Sequence, residues 1–208
     1  MKLLVLGGSG GTGRQVVTQA LAAGHDVTVL ARNRSGITTT HPSLRVIEGS
    51  VDGAHPLTEA MAGQGAVISA IGRGKTFKAD GLMERGVAAI LSAMTETRVR
   101  RLLLVSALGV GDSYADSPLL AKLFFRTLLR GIYADKLIGD DMVRRSTVDW
   151  TIVQPAVLTD GPLTRQYRAG EHLTLTGMPS VSRADVAHYL LDHIADPQTF
   201  RKTIVLAT

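Results

Sequence analysis

The chain contains no cysteine among its 208 residues. That excludes disulfides, thiolate metal ligands and cysteine nucleophiles together, and it fits a reducing compartment, so a cytoplasmic location is expected. Aromatic residues make up only 4%, with a single tryptophan; the stacking platforms that hold single-stranded nucleic acid need more, and no nucleic-acid partner is expected. No apolar run approaches the roughly 18 residues of a membrane span; "LLLVSAL" is far shorter. The opening "MKLLVL" is stopped by glycines before it could form the apolar core of a signal peptide. Histidines and carboxylates lack ligand spacing such as His-x-x-x-His, so no metal site is expected. One sign of charge is in short supply: 23 Lys and Arg face 18 Asp and Glu, for a net charge of +5. An anionic partner suits that balance, and a phosphorylated small molecule explains it as well as a polynucleotide.

What is present alternates. Short apolar runs recur as "KLLVLG", "DVTVLA", "LRVIEG", "AVISAI", "RLLLVSA", "WTIVQP" and "KTIVLA". Several are apolar almost throughout, as strands covered on both faces are. Helical periodicity lies between them: Val16, Val17, Ala20 and Leu21 follow Thr12, and Leu82, Val87, Ile90, Leu91 and Met94 follow Asp80, a candidate N-cap. A late helix opens at Ser182, with Asp185 three residues on, and ends before Pro197. Repeated strand–helix units predict an α/β fold, a doubly wound parallel sheet. Without internal repeats or linkers, residues 1–208 read as one domain, with small substrate-side elements near the C-terminus.

Five glycines crowd "GGSGGTG" at residues 7–13. Gly7, Gly10 and Gly13 directly follow the first strand and open a helix. In that place the first glycine permits a tight turn, the second lets backbone approach a pyrophosphate, and the third lets helix pack closely on strand. The helix N-terminus adds free amides and a positive dipole end. A second strand beginning about 20 residues on completes the setting of a dinucleotide-binding unit. At the end of that strand an NAD site commonly places an acid on the ribose hydroxyls, whereas NADP needs that acid absent and an arginine nearby. Ala31 stands in the acid's place, Arg32 is suited to the 2′-phosphate, and Arg34 is either a second ligand or a solvated loop charge. NADP is the expected cofactor.

These stretches, with "SALGV" and "QPAVLTDGPLT", resemble the atypical short-chain dehydrogenases. Within them the chain resembles the small NAD(P)-binding proteins grouped with biliverdin reductase B, an NADPH-dependent flavin reductase, and next the NmrA-like proteins. The resemblance implies that Ser9, Gly10, Gly11, Thr12 and Gly13 wrap the pyrophosphate. Ser50 and Val51 fall at the step beside adenine, although serine stands where the group usually has an acid. Ala70, Ile71 and Gly72 would line the ribose and nicotinamide side. Ser106 and Ala107 end the fifth strand, where the superfamily's serine lies. Pro155, Ala156, Val157 and Leu158 follow the sixth and would cradle the nicotinamide amide.

For catalysis the superfamily uses Tyr-x-x-x-Lys, but here Tyr133 precedes Lys136 by one residue too few. The two still share a helix face. "KLIGDDMVRRS" also resembles the NmrA-like Lys-x-x-x-acid segment, which makes Lys136 the cofactor-side lysine, with Asp140 in the acid's place. Tyr133 is then a candidate acid or a packed side chain. Val157 stands where the biliverdin reductase B group has a histidine; of the six histidines only His172 follows a relevant loop. Ser106 is the expected substrate-orienting donor. A reductase can manage with so few groups, because positioning supplies much of the acceleration.

The apolar and basic stretch 117–137 reads as a helix packed on the sheet, a pocket cap, a subunit contact or a membrane-surface element, and monomer and dimer both stay open. Arg165 and Arg168 suit an anionic acceptor, or are solvated. Two functions follow. One is an NADPH-dependent reductase of a small flat acceptor such as a flavin, quinone or tetrapyrrole. The other is an NmrA-like regulator that senses NADP(H) without turnover.

Overall fold

Strand residues alternate between two apolar cores, which is why the expected strands read as nearly unbroken apolar runs. The computed structural model describes residues 1–72, 81–111, 113–116 and 130–208. In β1 (Lys2–Leu6), Leu3 and Val5 enter one core and Leu4 and Leu6 the other. The same split runs through β2 (Asp26–Ala31), β4 (Ala66–Ser69), β5 (Arg101–Val105) and β6 (Asp149–Pro155). Neither face of the central strands meets water, the condition that favours parallel sheets.

The main sheet has eight strands in the order β3-β2-β1-β4-β5-β6-β10-β8, where β3 is Leu44–Glu48, β8 is Arg168–Gly170 and β10 is Lys202–Ala207. All neighbours pair in parallel except β10 with β8. Helix α1 (Gly11–Ala22) packs with α6 (Arg183–Asp192) on one face. On the other, α2 (Ala54–Met61) packs on α3 (Leu82–Thr97), and α3 on α5 (Arg130–Arg145). A single turn, α4 (Ser113–Asp116), lies after β5. A small parallel ladder joins β7 (Val157–Thr159) to β9 (Ser180–Ser182).

The fold is the doubly wound single sheet that the sequence predicts. Ser182 caps α6 as expected, its hydroxyl accepting from the Asp185 amide. The N-cap of α3 is Gly81, in the left-handed region at φ 68°. The expected cap Asp80 lies outside the described residues, and so do residues 117–129 of the apolar and basic stretch. Strands β2, β6 and β10 end where the predicted runs end, whereas β1, β3, β4 and β5 stop one or two residues short, at Leu6, Glu48, Ser69 and Val105. Those surplus residues turn away at the carboxyl edge and form the site. Among the described residues no helix is long and apolar enough to cross a membrane.

Candidate functional site

The carboxyl ends of β1, β2 and β4 open onto a crevice of about 540 Å³. Doubly wound sheets bind ligands there, where the strand order reverses and adjacent crossovers run to opposite faces. Gly7 and Gly13 build its floor. Gly7 sits at φ +78°, and a Cβ on it would strike the Ala70 carbonyl. A Cβ on Gly13 would strike the Gly7 carbonyl. The strand–helix turn closes only because both side chains are missing. Helix α1 then opens at Gly10 without a side-chain cap, so the amides of its first turn, Gly11, Thr12 and Gly13, keep no intrahelical acceptor. Bare amides above a floor of glycine backbone fit a pyrophosphate.

Gly7, Ser9 and Gly10 line the crevice together with Arg32, Ser50 and Val51 on one side and Ala70, Ile71 and Gly72 on the other. Residues from four separate stretches therefore meet as expected. Ala31 also lines the wall, next to Arg32. Arg34 does not line the crevice; it begins an exposed 3-10 turn, Arg34–Gly36, whose Asn33 cap holds the Ser35 amide.

Sequence reading missed Asp52 and Arg85. They line the same wall and lie 3.9 Å apart. The Ser50 hydroxyl donates to Asp52, and that bond, with Arg85 and Arg32 nearby, holds its carboxyl below the usual range despite slight burial. Serine thus stands beside an acid two residues later. Arg85 belongs to no motif, and only the crossover through α3 delivers it.

Beyond the crevice, at the ends of β5 and β6, the remaining predicted residues form a second group. Ser106 is buried, and its hydroxyl donates to Asp140 Oδ2 at 2.8 Å. Gln154 Nε2 donates to the same oxygen at 3.2 Å and to the Val110 carbonyl at 2.9 Å. Asp140 is fully buried, and its Oδ1 has no hydrogen-bond partner among the described residues. Burial pushes its carboxyl above the usual range, against the Ser106 bond and the charges of Lys136 and Arg144. Lys136 is half-buried one turn earlier, and burial lowers its ammonium, with Asp140 and Asp135 opposing.

Tyr133, the candidate acid, is half-buried on α5. Its hydroxyl donates to the Leu108 carbonyl at 2.9 Å, and burial raises the phenol well above its usual range. Ala107 is half-buried, Pro155 and Ala156 are buried, Leu158 is partly covered, and Val157 is 55% exposed. None of these lines the crevice. His172 is exposed beyond β8, and no group of three or more metal-binding side chains occurs among the described residues.

A family model described as NAD(P)H-binding matches residues 7–197. The Bacillus subtilis (strain 168) protein YwnB is 25% identical over 209 residues, which covers 95% of this chain and 94% of that protein. A short-chain dehydrogenase/reductase from Veillonella parvula DSM 2008, solved in complex with NADP, superposes with a TM-score of 0.85 at 22% identity, over 100% of this chain and 94% of that one. ChuY, an anaerobilin reductase from Escherichia coli O157:H7, does so at 0.82 and 23%, over 99% and 96%. The two structures speak for the fold, and the family match spans the glycine turn, the crevice and the Ser106 group alike. The chain belongs to the NAD(P)H-binding family, on the fold of the short-chain dehydrogenases/reductases.

Proposed function

We propose that the chain is an NADPH-dependent reductase that passes hydride to a flat conjugated acceptor such as a flavin, quinone or tetrapyrrole. The observation that carries the reading is the crevice wall at the end of β2, where Ala31 replaces an acid and Arg32 follows. A carboxylate there would repel a 2′-phosphate, whereas a guanidinium forms charge-assisted bonds with it. Arg85, lining the same crevice beside Asp52, adds a second cation. The NADP bound to the Veillonella relative is consistent with this preference.

Gly10 to Gly13 would hold the pyrophosphate, and Ala70 to Gly72 the nicotinamide half. The reduced nicotinamide supplies the hydride. On the acceptor side, Val157 at 55% exposure and Met178 at 67% lie near one another, since the Val157 amide bonds the Pro179 carbonyl. Exposed apolar side chains at the end of β6 suit a flat ring. Arg165 and Arg168, in the following segment, suit acidic substituents on it. ChuY, by its name an anaerobilin reductase, shares the fold.

The NmrA-like alternative, a sensor of NADP(H) without turnover, draws on Tyr133, whose hydroxyl is turned to the Leu108 carbonyl. NADPH oxidation in the presence of FMN, riboflavin or a quinone separates the two. Turnover is expected; its absence, with unequal affinity for oxidised and reduced cofactor, would favour the sensor. For Arg32→Ala we expect NADPH affinity to fall roughly 10- to 100-fold, the worth of hydrogen bonds to a charged group, and NADH affinity to hold. Equal losses for both would remove the 2′-phosphate role.

A further inference from the structure

Asp140 is a carboxyl in a place built for a neutral group. It is fully buried, and its Oδ1 is unpartnered among the described residues. An ionised carboxylate with an orphaned oxygen is among the costliest groups to bury, while the carbonyl oxygen of an acid is far cheaper to leave bare. The groups it meets from β5 and β6, Ser106 and Gln154, are both uncharged. Next to it on α5, Gly139 faces the apolar Met83 and Val87 of α3. Lys136 and Arg144 act on it from its own helix. Neither forms an ion pair with it, and Arg144 bonds Asp141 at 2.9 Å.

The 2.8 Å contact to Ser106 holds equally well with the proton on Asp140 Oδ2. The acid then donates to Ser106 Oγ, which frees the serine's own proton for another acceptor. Oδ2 can still receive the Gln154 amide.

We propose that Asp140 is kept as a neutral carboxylic acid and, through Ser106, supplies the proton that accompanies hydride transfer to the acceptor. This rests on the reductase reading above. For each hydride the acceptor takes from the reduced nicotinamide, the Ser106 O–H bond breaks toward the acceptor's oxygen or nitrogen. The Asp140 O–H bond breaks toward Ser106 Oγ. The acceptor leaves with two electrons and two hydrogens, the serine is regenerated, and the carboxylate regains its proton from water through Ser106 once the product has gone. Ser106 is the catalytic residue and Asp140 acts through it. Tyr133, occupied at Leu108, takes no part.

The test begins without turnover. In cofactor-free protein at pH 7, wild type should show the infrared carbonyl band of a protonated carboxyl, and D140N should lack it. The melting temperature of D140N should rise relative to wild type as pH increases, because a raised folded-state pKa means stability lost on deprotonation. No band in wild type overturns the proposal. With an acceptor, D140N should lose about 100-fold in kcat, the scale of general-acid catalysis, with an unchanged KM for NADPH. Its kcat should also lose the wild-type decline at high pH. S106A, which keeps the carboxyl and its band, should show the same kinetic change and guards against misfolding of D140N. Wild-type kcat and pH profile in both variants overturn the relay alone. Absence of turnover with every acceptor sinks the relay together with the reductase reading, and the infrared band then still shows whether the acid is neutral.

Discussion

Gly13 shows how one missing carbon sets a binding surface. Alanine would favour the helix by about 1 kcal/mol over glycine, yet its Cβ would meet the Gly7 carbonyl, which belongs to backbone that cannot swing aside. Overpacking of that kind costs about 1–3 kcal/mol, so the clash wins. Gly13→Ala should lower the melting temperature and weaken NADP(H) binding at least tenfold, measured by thermal denaturation and cofactor titration. Preserved affinity would mean that the turn can open without losing its amides. This residue was legible in the sequence because the demand is local, between Gly7 and Gly13 only six residues apart. Arg85 and Asp52 were not legible, since nothing in either neighbourhood announces a meeting across the wall.

At the scale of elements, three side chains of α6 hold the segment before β8: Arg183 bonds Asp160 at 2.7 Å, His188 bonds the Tyr167 hydroxyl at 2.7 Å, and Asp185 gathers the most bonds. Asp185 Oδ1 accepts from the amides of Thr164 and Arg165 at 2.8 and 2.7 Å, and Oδ2 from the hydroxyls of Thr164 and Ser182 at 2.9 and 2.8 Å. Burial would raise this carboxyl, but the bonds from Arg165, Ser182 and Thr164 outweigh it and hold it below the ordinary value of 3.8. A lowered folded-state pKa contributes stability that is present above pH 4 or so and lost as pH falls through the folded value. Asp185→Asn should therefore lower the melting temperature at pH 7 by the equivalent of about 1–3 kcal/mol, with the gap to wild type closing in acid. A constant gap from pH 7 to pH 3 would show that the charge is not what holds the loop. The cap was readable from Ser182 and Asp185 at their spacing; the loop that Asp185 grips was not, because it lies some 20 residues away.

Across the whole molecule, Arg101 fastens the end of the sheet opposite the crevice. Its guanidinium donates to the carbonyls of Ile194, Asp149 and His193 at 2.7, 2.9 and 2.9 Å and to the Thr151 and Thr199 hydroxyls, with the Phe200 ring 4.5 Å away. Burial pulls its pKa down to about 10, against nearby Asp149, Tyr189 and Asp196. The cation joins β5, β6, the end of α6 and the turn into β10. Arg101→Ala would leave several buried carbonyls without donors, at about 1–3 kcal/mol each before relaxation. A loss of roughly 3 kcal/mol or more is expected in urea unfolding, and Arg101→Lys should recover only part of it, since an ammonium lacks the planar fork. Near-wild-type stability of the alanine variant would reassign the fastening to the apolar cores.

The sequence by itself determined the strand–helix alternation, the two-faced apolar strands, the glycine turn and the absence of an acid after β2, because each is a property of residues within one turn or one strand of their neighbours. Tertiary structure decided the rest. Ser106 reaches Asp140 across 34 residues, and Arg101 reaches Ile194 across 93. Such meetings depend on the strand order and on which sheet face each crossover takes, and no local pattern carries that information.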